Sequence, residues 1–208
     1  MPLTIQTCTG KEILPFLDDL ARLRIEIFKD FPYLYDGTMA YERVYLKTYS
    51  DCPDSFFVLA RDPDDRIVGV STSVPLEAED DEFIQPFLNN GYDIDSVFYF
   101  GESVLKKAYR GQGVGVRFFQ EREAFAKSRD RFRLSTFCSV DRPKDHPLRP
   151  PDYVPLDTFW RNRGYDKRPE LVTAYSWKDI DEQEETEKEM VFWTKKIRLP
   201  AKAGTTNQ

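Results

Sequence analysis

The sequence predicts an α/β fold, a mixed sheet flanked by helices. Three observations lead there. Apolar residues recur at helical spacing in some stretches and alternate in others. The two kinds of segment interleave in the order β-α-α-β-β-β-α-β-α-β-β. The 208 residues are 40 % hydrophobic and 14 % aromatic, enough to fill a core and far from a disordered composition. A chain of this length suits one domain, expected over 1–198, with a disordered tail at 199–208.

Leu3–Cys8 reads as a short strand, broken at Gly10. From Lys11 to Lys29, Ile13, Phe16, Leu17, Leu20, Leu23, Ile27 and Phe28 recur at helical spacing. Thr9 and Glu12 ahead of them form a capping box. Met39–Tyr49 is a second amphipathic helix, with Tyr41, Val44, Tyr45 and Thr48 on one side. Ser55–Ala60 and Ile67–Val74 read as strands, and the Asp-Pro-rich turn Asp62–Asp65 makes them an antiparallel hairpin. An acidic insert, Glu77–Asp95, holds a short helix around Phe83, Phe87 and Leu88. Val97–Leu105 reads as one strand, Val116–Arg129 as a strong helix, and Phe132–Val140 as another strand. After a proline-heavy loop, Arg142–Pro155, a helix at Leu156–Arg163 stops at Gly164. The strands Leu171–Trp177 and Met190–Ile197 close the pattern, and they offer an edge through which two copies could pair as a homodimer.

A net charge of −6 argues against nucleic acid as the main partner, because counterion release needs a basic face. No apolar run approaches the ~18–20 residues that span a bilayer. The opening MPLTIQTCTGKE lacks the features of a signal peptide. Cys8, Cys52 and Cys138, with one histidine, make neither a disulfide framework nor a zinc site, so no metal is expected. The expectation is a soluble, cytoplasmic protein without membrane or nucleic-acid partners.

The strongest local signal is the strand–AYRGQGVG–helix run. Its three glycines let a ligand approach the backbone, and amides at a helix N-terminus favour phosphate oxygens. A plain strand-to-helix turn is the competing reading. A P-loop would end in Gly-Lys-Ser/Thr, and here Gly115 is followed by Val116 and Arg117. A dinucleotide fingerprint also fails, with Val116 or Phe118 where its last glycine belongs.

The run Val104–Phe119 resembles the signature of the GNAT superfamily of acyl-CoA-dependent N-acetyltransferases, [Gln/Arg]-x-x-Gly-x-[Gly/Ala] after a strand. Arg110, Gly111, Gln112, Gly113, Val114 and Gly115 match it at every position. The order of elements over Leu3–Trp177 and the helix-Gly-aromatic segment Asp157–Tyr165 extend the resemblance. It implies a mostly antiparallel central sheet and acetyl-CoA as cosubstrate. The acceptor would be an amine-bearing small molecule, peptide or protein. Val104, Leu105 and Lys106 would contact the pantetheine arm and thioester through the main chain, and Arg110–Gly115 would hold the phosphates.

Glu102 is the candidate general base. Read by alternation, it shares a face with Phe98, Phe100 and Val104, a carboxylate in an apolar row. Ser103 beside it reads as structural. Where many relatives of this fold carry a tyrosine acid, this chain has Trp160, which cannot donate a proton to a thiolate. Tyr153 and Tyr165 are substitutes, though both also read as packing. Cys138 reads as a small hydrophobe rather than a nucleophile. His146 reads as an exposed loop residue, and Arg142, Lys144 and Arg149 as a solvated cluster with the option of touching an anion. Glu79, Asp80, Asp81, Glu82, Asp93 and Asp95 could draw a cationic amine. Phe31, Tyr33 and Tyr35, with Trp177, Phe192 and Trp193, line the acceptor pocket or fill the core. A non-catalytic acyl-CoA-binding module is the alternative function, and a nucleotide-binding domain with other chemistry a third.

Overall fold

In a computed structural model that describes residues 3–198, eight strands form one sheet with helices on both faces. The elements run β1 (Thr4–Thr9), α1 (Leu17–Phe28), α2 (Met39–Asp51), β2 (Phe56–Arg61), β3 (Ile67–Pro75), α3 (Asp81–Asn89), β4 (Val97–Tyr99), β5 (Ser103–Leu105), α4 (Val114–Ser128), β6 (Leu134–Val140), α5 (Asp157–Arg161), β7 (Asp166–Trp177) and β8 (Thr186–Lys196). The expected disordered tail lies outside the described residues. Among those residues, no helix is long and apolar enough to cross a membrane.

The strand order is β1-β2-β3-β4-β6-β8-β7, with β5 beside β3. Every pairing is antiparallel except β4 with β6. The expected hairpin is β2–β3, turning on Asp62–Asp65. The first helix starts later than its apolar spacing implies. The capping box of Thr9 and Glu12 opens a 3₁₀ turn over Gly10–Phe16, and the α-helix begins only at Leu17. Pro15 lacks an N–H and disfavours helical geometry at Leu14, which delays the α-helical ladder.

Each face of the sheet carries its own core. On one, Leu20, Ala21 and Leu23 of α1, Leu46 and Tyr49 of α2, and Phe83, Ile84 and Phe87 of α3 cover Phe57, Leu59, Val70, Val97, Tyr99 and Val104. On the other, Val114, Phe118, Phe119 and Ala126 of α4 cover Phe56, Val58, Ala60, Phe98 and Phe100. The buried positions of α4 fall at 114, 118, 119, 122 and 126, the stripe a 3.6-residue period makes. Position 122 in that stripe is an arginine.

Candidate active site

The segment expected as one strand over Val97–Leu105 is interrupted. Gly101 N–H donates to Thr72 O (3.1 Å), and Thr72 N–H donates to Glu102 O (3.0 Å). Glu102 N–H donates to the Thr72 hydroxyl (3.2 Å). Two residues thus oppose one, which is a β-bulge. Glycine at 101 makes room for this hydrogen bonding, because a Cβ would stand 2.5 Å from the Tyr49 hydroxyl and 2.6 Å from Thr72 Oγ1, and both would have to move.

The bulge exchanges the faces of the sheet. Phe98 and Phe100 belong to the α4 core, whereas Tyr99 and Val104 belong to the core under α1 and α2. Glu102 therefore does not share a row with Phe98 and Phe100 as alternation implies. It sits with Tyr99 and Val104, and its carboxylate is not alone. Arg24 Nη1 lies 2.5 Å from Glu102 Oε2, and Arg24 Nε lies 2.5 Å from Glu42 Oε2. Burial opposes the charge on Arg24, and Glu102, Tyr45 and Glu42 more than offset that and hold it cationic. Glu102 is 6 % exposed, and its Oε1 has no hydrogen-bond partner.

Arg122 holds the bulge from the opposite face. It donates to Thr72 O (3.2 Å), Glu102 O (3.4 Å) and Ser103 Oγ (2.8 Å), and lies over the Phe100 ring at 4.2 Å. Burial brings its guanidinium down to about 10.

Past the bulge the sheet opens. β4 pairs with β6 through Val97, Phe98 and Tyr99, but β5 pairs only with β3 among the described strands. Thr72 N–H bonds Glu102 O and Lys106 N–H bonds Val68 O, so residues 102, 104 and 106 point their main-chain groups at β3. By strand alternation, the N–H and C=O of Ser103 and Leu105 face the gap. Ser103 is exposed although it lies in the middle of a sheet. Lys106 also accepts from Tyr109 N–H, which leaves Leu105, of the three residues expected to line a ligand, with its main chain turned toward the opening. Arg110 Nε donates to Leu105 O (3.1 Å).

The glycine loop follows directly. Gly111 and Gly113 have φ of +78° and +82°, and nothing stands within 4 Å of where their Cβ atoms would be. Gly113 caps α4, and Val114 and Gly115 already belong to the helix, two residues earlier than expected. The first amides of a helix have no intrahelical partner. Here they sit at the exposed end of the 15-residue α4, next to the β5 edge. Free amides, a helix dipole and no side chain in the way fit an anionic phosphate group such as the pyrophosphate of coenzyme A.

On the α1–α2 side lies a set of polar groups that sequence reasoning only partly found. Tyr45 Oη donates to Glu102 Oε2 (3.3 Å) and is 3.0 Å from Tyr49 Oη, and the Tyr49 hydroxyl donates to Glu79 Oε1. Burial pushes the hydroxyls of Tyr45, Tyr49 and Tyr99 well up, so they stay neutral. Burial also raises Glu79 to about 7; the Tyr49 hydrogen bond works against the rise, and the charges of Asp80 and Glu102 add to it. Tyr45 and Tyr49 one helical turn apart were a visible signal. Nothing in the sequence placed Glu79 or Arg24 beside them.

An unfolded Glu79 would ionise near 4.5, whereas the folded one holds its proton to about 7. The folded chain therefore binds more protons than the unfolded chain across that window, and stability falls as pH rises through it. Glu79→Gln is expected to flatten that decline, read as melting temperature against pH; a decline identical to wild type would show that Glu79 does not cause it.

The remaining expected residues are occupied elsewhere. Trp160 packs on Phe137 and Trp193, each with ring centroids 5.1 Å away. Tyr165 is fully buried against Ser135 (3.0 Å) and Glu123 (3.2 Å). Tyr153 and His146 lie edge-on to Phe31, and Arg149 covers Phe31 and Tyr153. Arg142 is buried in an ion pair with Asp179 (2.7 Å) and tethers the proline loop to Pro32 and Tyr33. Cys138 is buried beside Tyr99, and burial pushes its thiol up to about 12, which leaves it no thiolate character.

No family model and no curated protein sequence matches this chain. Solved structures do. NAA60 of Arabidopsis thaliana, in complex with acetyl-CoA, superposes with a TM-score of 0.62 at 12 % identity, covering 94 % of this chain and 99 % of that one. An N-acetyltransferase from Staphylococcus aureus gives 0.61 at 10 % identity, over 95 % and 100 % of the two chains. A GNAT superfamily phosphinothricin acetyltransferase from Sinorhizobium meliloti, in complex with AcCoA, gives 0.57 at 12 % identity, over 99 % and 97 %. With the bulged central strand, the opening beside it and the glycine loop at the head of α4, these likenesses show that the chain has the GNAT acyltransferase fold.

Proposed function

We propose that the protein is an N-acetyltransferase that moves an acetyl group from acetyl-CoA to a primary amine of a small molecule, peptide or protein, by direct transfer with both substrates bound. One observation carries this reading: a strand edge at Ser103 and Leu105 that no other described strand pairs leads, through one 3₁₀ turn at Lys107–Tyr109, to the free amides at the head of α4, Gly113–Gly115. An extended acyl-pantetheine arm needs the first and a pyrophosphate needs the second. Acetyl-transferring neighbours of the same fold support it.

In this reading Gly111, Gly113, Val114 and Gly115 hold the phosphates through the main chain, with Gln112 and the Arg110 guanidinium at the rim. The main-chain groups of Leu105 meet the pantetheine arm, and its N–H stabilises the oxyanion as the amine attacks the thioester carbonyl. Val104 and Lys106 fix that strand against β3. Glu102 accepts the proton the amine loses, at the Oε1 that has no other partner. Trp160 has no acidic proton to give, and its indole is packed against Phe137 and Trp193, so the leaving thiolate takes its proton from water.

A thermal-shift panel with acetyl-CoA, CoA, NAD and ATP tests the reading. Ligand at 100 times its dissociation constant stabilises by about 2.7 kcal/mol. Acetyl-CoA and CoA are expected to raise the melting temperature, and a screen of amines should then release CoA thiol. Stabilisation by NAD or ATP instead would overturn the cofactor assignment, and binding of acetyl-CoA with no CoA released by any amine would leave only a binding module. Gly113→Val places a branched side chain at φ +82°, where it is strained, and in the phosphate path. It is expected to weaken acetyl-CoA at least ~100-fold, the order of several lost hydrogen bonds to a charged group; unchanged affinity would sink the loop assignment.

A further inference from the structure

Four side-chain oxygens stand in one row: Glu102 Oε2, Tyr45 Oη, Tyr49 Oη and Glu79 Oε1. They are joined by three hydrogen bonds, at 3.3 Å, 3.0 Å and a short contact between Tyr49 and Glu79. Three bonds need three protons, and the two tyrosines own one each. With both carboxyls ionised, each tyrosine donates to its own carboxylate and the 3.0 Å contact between the tyrosines holds no proton; a proton on either carboxyl fills it, and the row then has two filled arrangements. In one, Glu102 is protonated and every donor points toward Glu79. In the other, Glu79 is protonated and every donor points toward Glu102. The ends also differ: Glu102 is 6 % exposed and tied to Arg24, whereas Glu79 is only half-buried, next to Asp80 at the surface.

We propose that Glu79 is the outlet of this row: the proton that Glu102 takes from the acceptor amine leaves the active site through Tyr45 and Tyr49 to Glu79, and from there to water. The inference rests on the acetyltransferase reading for the source of the proton. The step balances without any redox change. A half-turn of the Glu102 carboxyl about its Cγ–Cδ bond brings the proton taken up at Oε1 round to Tyr45; that O–H bond breaks as Tyr45 gains the proton, Tyr45 passes its own to Tyr49, and Tyr49 passes its own to Glu79. Glu79 then loses one proton to solvent, and Glu102 is again a carboxylate paired with Arg24. Tyr45, Tyr49 and Glu79 act through Glu102 and are positioning residues for it.

The surroundings favour a neutral state at the Glu79 end. It faces Tyr45 and Tyr49 from α2, Tyr99 from β4, Glu102 from the bulge, Cys138 from β6, Tyr175 from β7 and Asp80 from its own segment. None of these is a cation, and the one guanidinium in the cluster, Arg24, is engaged by Glu102 and Glu42. Burial, which raises Glu79 to about 7, poises it to take and release a proton near neutrality.

The test is carboxyl-carbon NMR titration of the unliganded full-length protein, with the Glu79 signal assigned by its loss in E79Q. Groups that share a proton this way couple by more than about 1 pK unit. Glu102→Gln removes the like charge and the carboxyl that shares the row's proton, so the Glu79 midpoint is expected to fall by about 1 unit. Tyr49→Phe keeps the ring against Phe57 but cuts the row. In that background, Glu102→Gln is expected to move the midpoint by less than half as much. An equal shift in both backgrounds means coupling through space and overturns the row, and no shift in either overturns the shared proton. With an active amine, Tyr49→Phe should lower kcat about tenfold and alter its pH profile, while KM for acetyl-CoA holds. An unchanged kcat and profile would overturn the outlet. If the coupling is found but no amine ever releases CoA, the transferase reading fails while the paired carboxyls stand. If CoA is released without the coupling, the reverse holds.

Discussion

Glu102→Gln is expected to lower kcat by about 10²–10⁴-fold, the usual contribution of a general base, while acetyl-CoA still binds. That is about 3–5 kcal/mol of transition-state stabilisation at 1.36 kcal/mol per decade. The substitution is chosen because it isolates proton acceptance. Gln keeps an oxygen for Arg24 and Tyr45 at the same reach, and Glu42 remains beside Arg24 to neutralise it. A collapsed variant would lose the acetyl-CoA shift in melting temperature as well as turnover. Normal turnover with a good acceptor would remove Glu102 from the mechanism.

The second large effect falls on Arg122. Arg122→Ala is expected to destabilise the fold by about 3–5 kcal/mol, the range for deleting a large, fully buried side chain. For a chain of this size that lowers the melting temperature by roughly 2–4 °C per kcal/mol. Arg122→Met separates packing from polarity. It refills most of the space between Phe100 and Phe119, so its stability cost should be less than about 1.5 kcal/mol. It cannot bond Thr72 O, Glu102 O or Ser103 Oγ, however, and the bulge that aims Glu102 loses its clamp. Thermal melts beside steady-state kinetics check both variants. Full activity in Arg122→Met would show that the Thr72 and Gly101 hydrogen bonds hold the bulge unaided.

What was legible in the sequence is what is written locally. The glycine loop and α4 could be read because positive φ and a 3.6-residue stripe are properties of neighbouring residues. The β2–β3 hairpin and the Thr9–Glu12 capping box were readable for the same reason. Pro15 was equally visible, yet the apolar spacing of Lys11–Lys29 outweighed it. The bulge was not legible. It is set by Thr72 on β3 and Arg122 on α4, and in the strand itself only Gly101 marked it; that one missed residue turned Glu102 to the opposite face. The partners of Glu102 were hidden too, since Arg24, Tyr45 and Glu79 come from three separate elements and meet only in the folded chain. The aromatic residues were named as one set, and the structure divides them: Phe31 packs under the proline loop, whereas Tyr33 lies against Trp177.

The gap beside β5 has a consequence for how the sheet holds together. Among the described strands, β1, β2, β3 and β5 form one panel and β6, β8 and β7 another. Among those strands, pairing crosses between the panels only at β4, through two register positions to β3 and three to β6. Side chains such as Phe119 against Phe137 and Tyr165 join the panels from the α4 side. The sheet is thus a pair of leaves on a short spine, and a chain-like ligand laid into the notch would act as a stitch, supplying backbone hydrogen bonds to both leaves where the protein supplies none. Binding there would tie the two halves into one cooperative unit, and the energy of that closure would come from the same unpaired edge that makes room for the ligand.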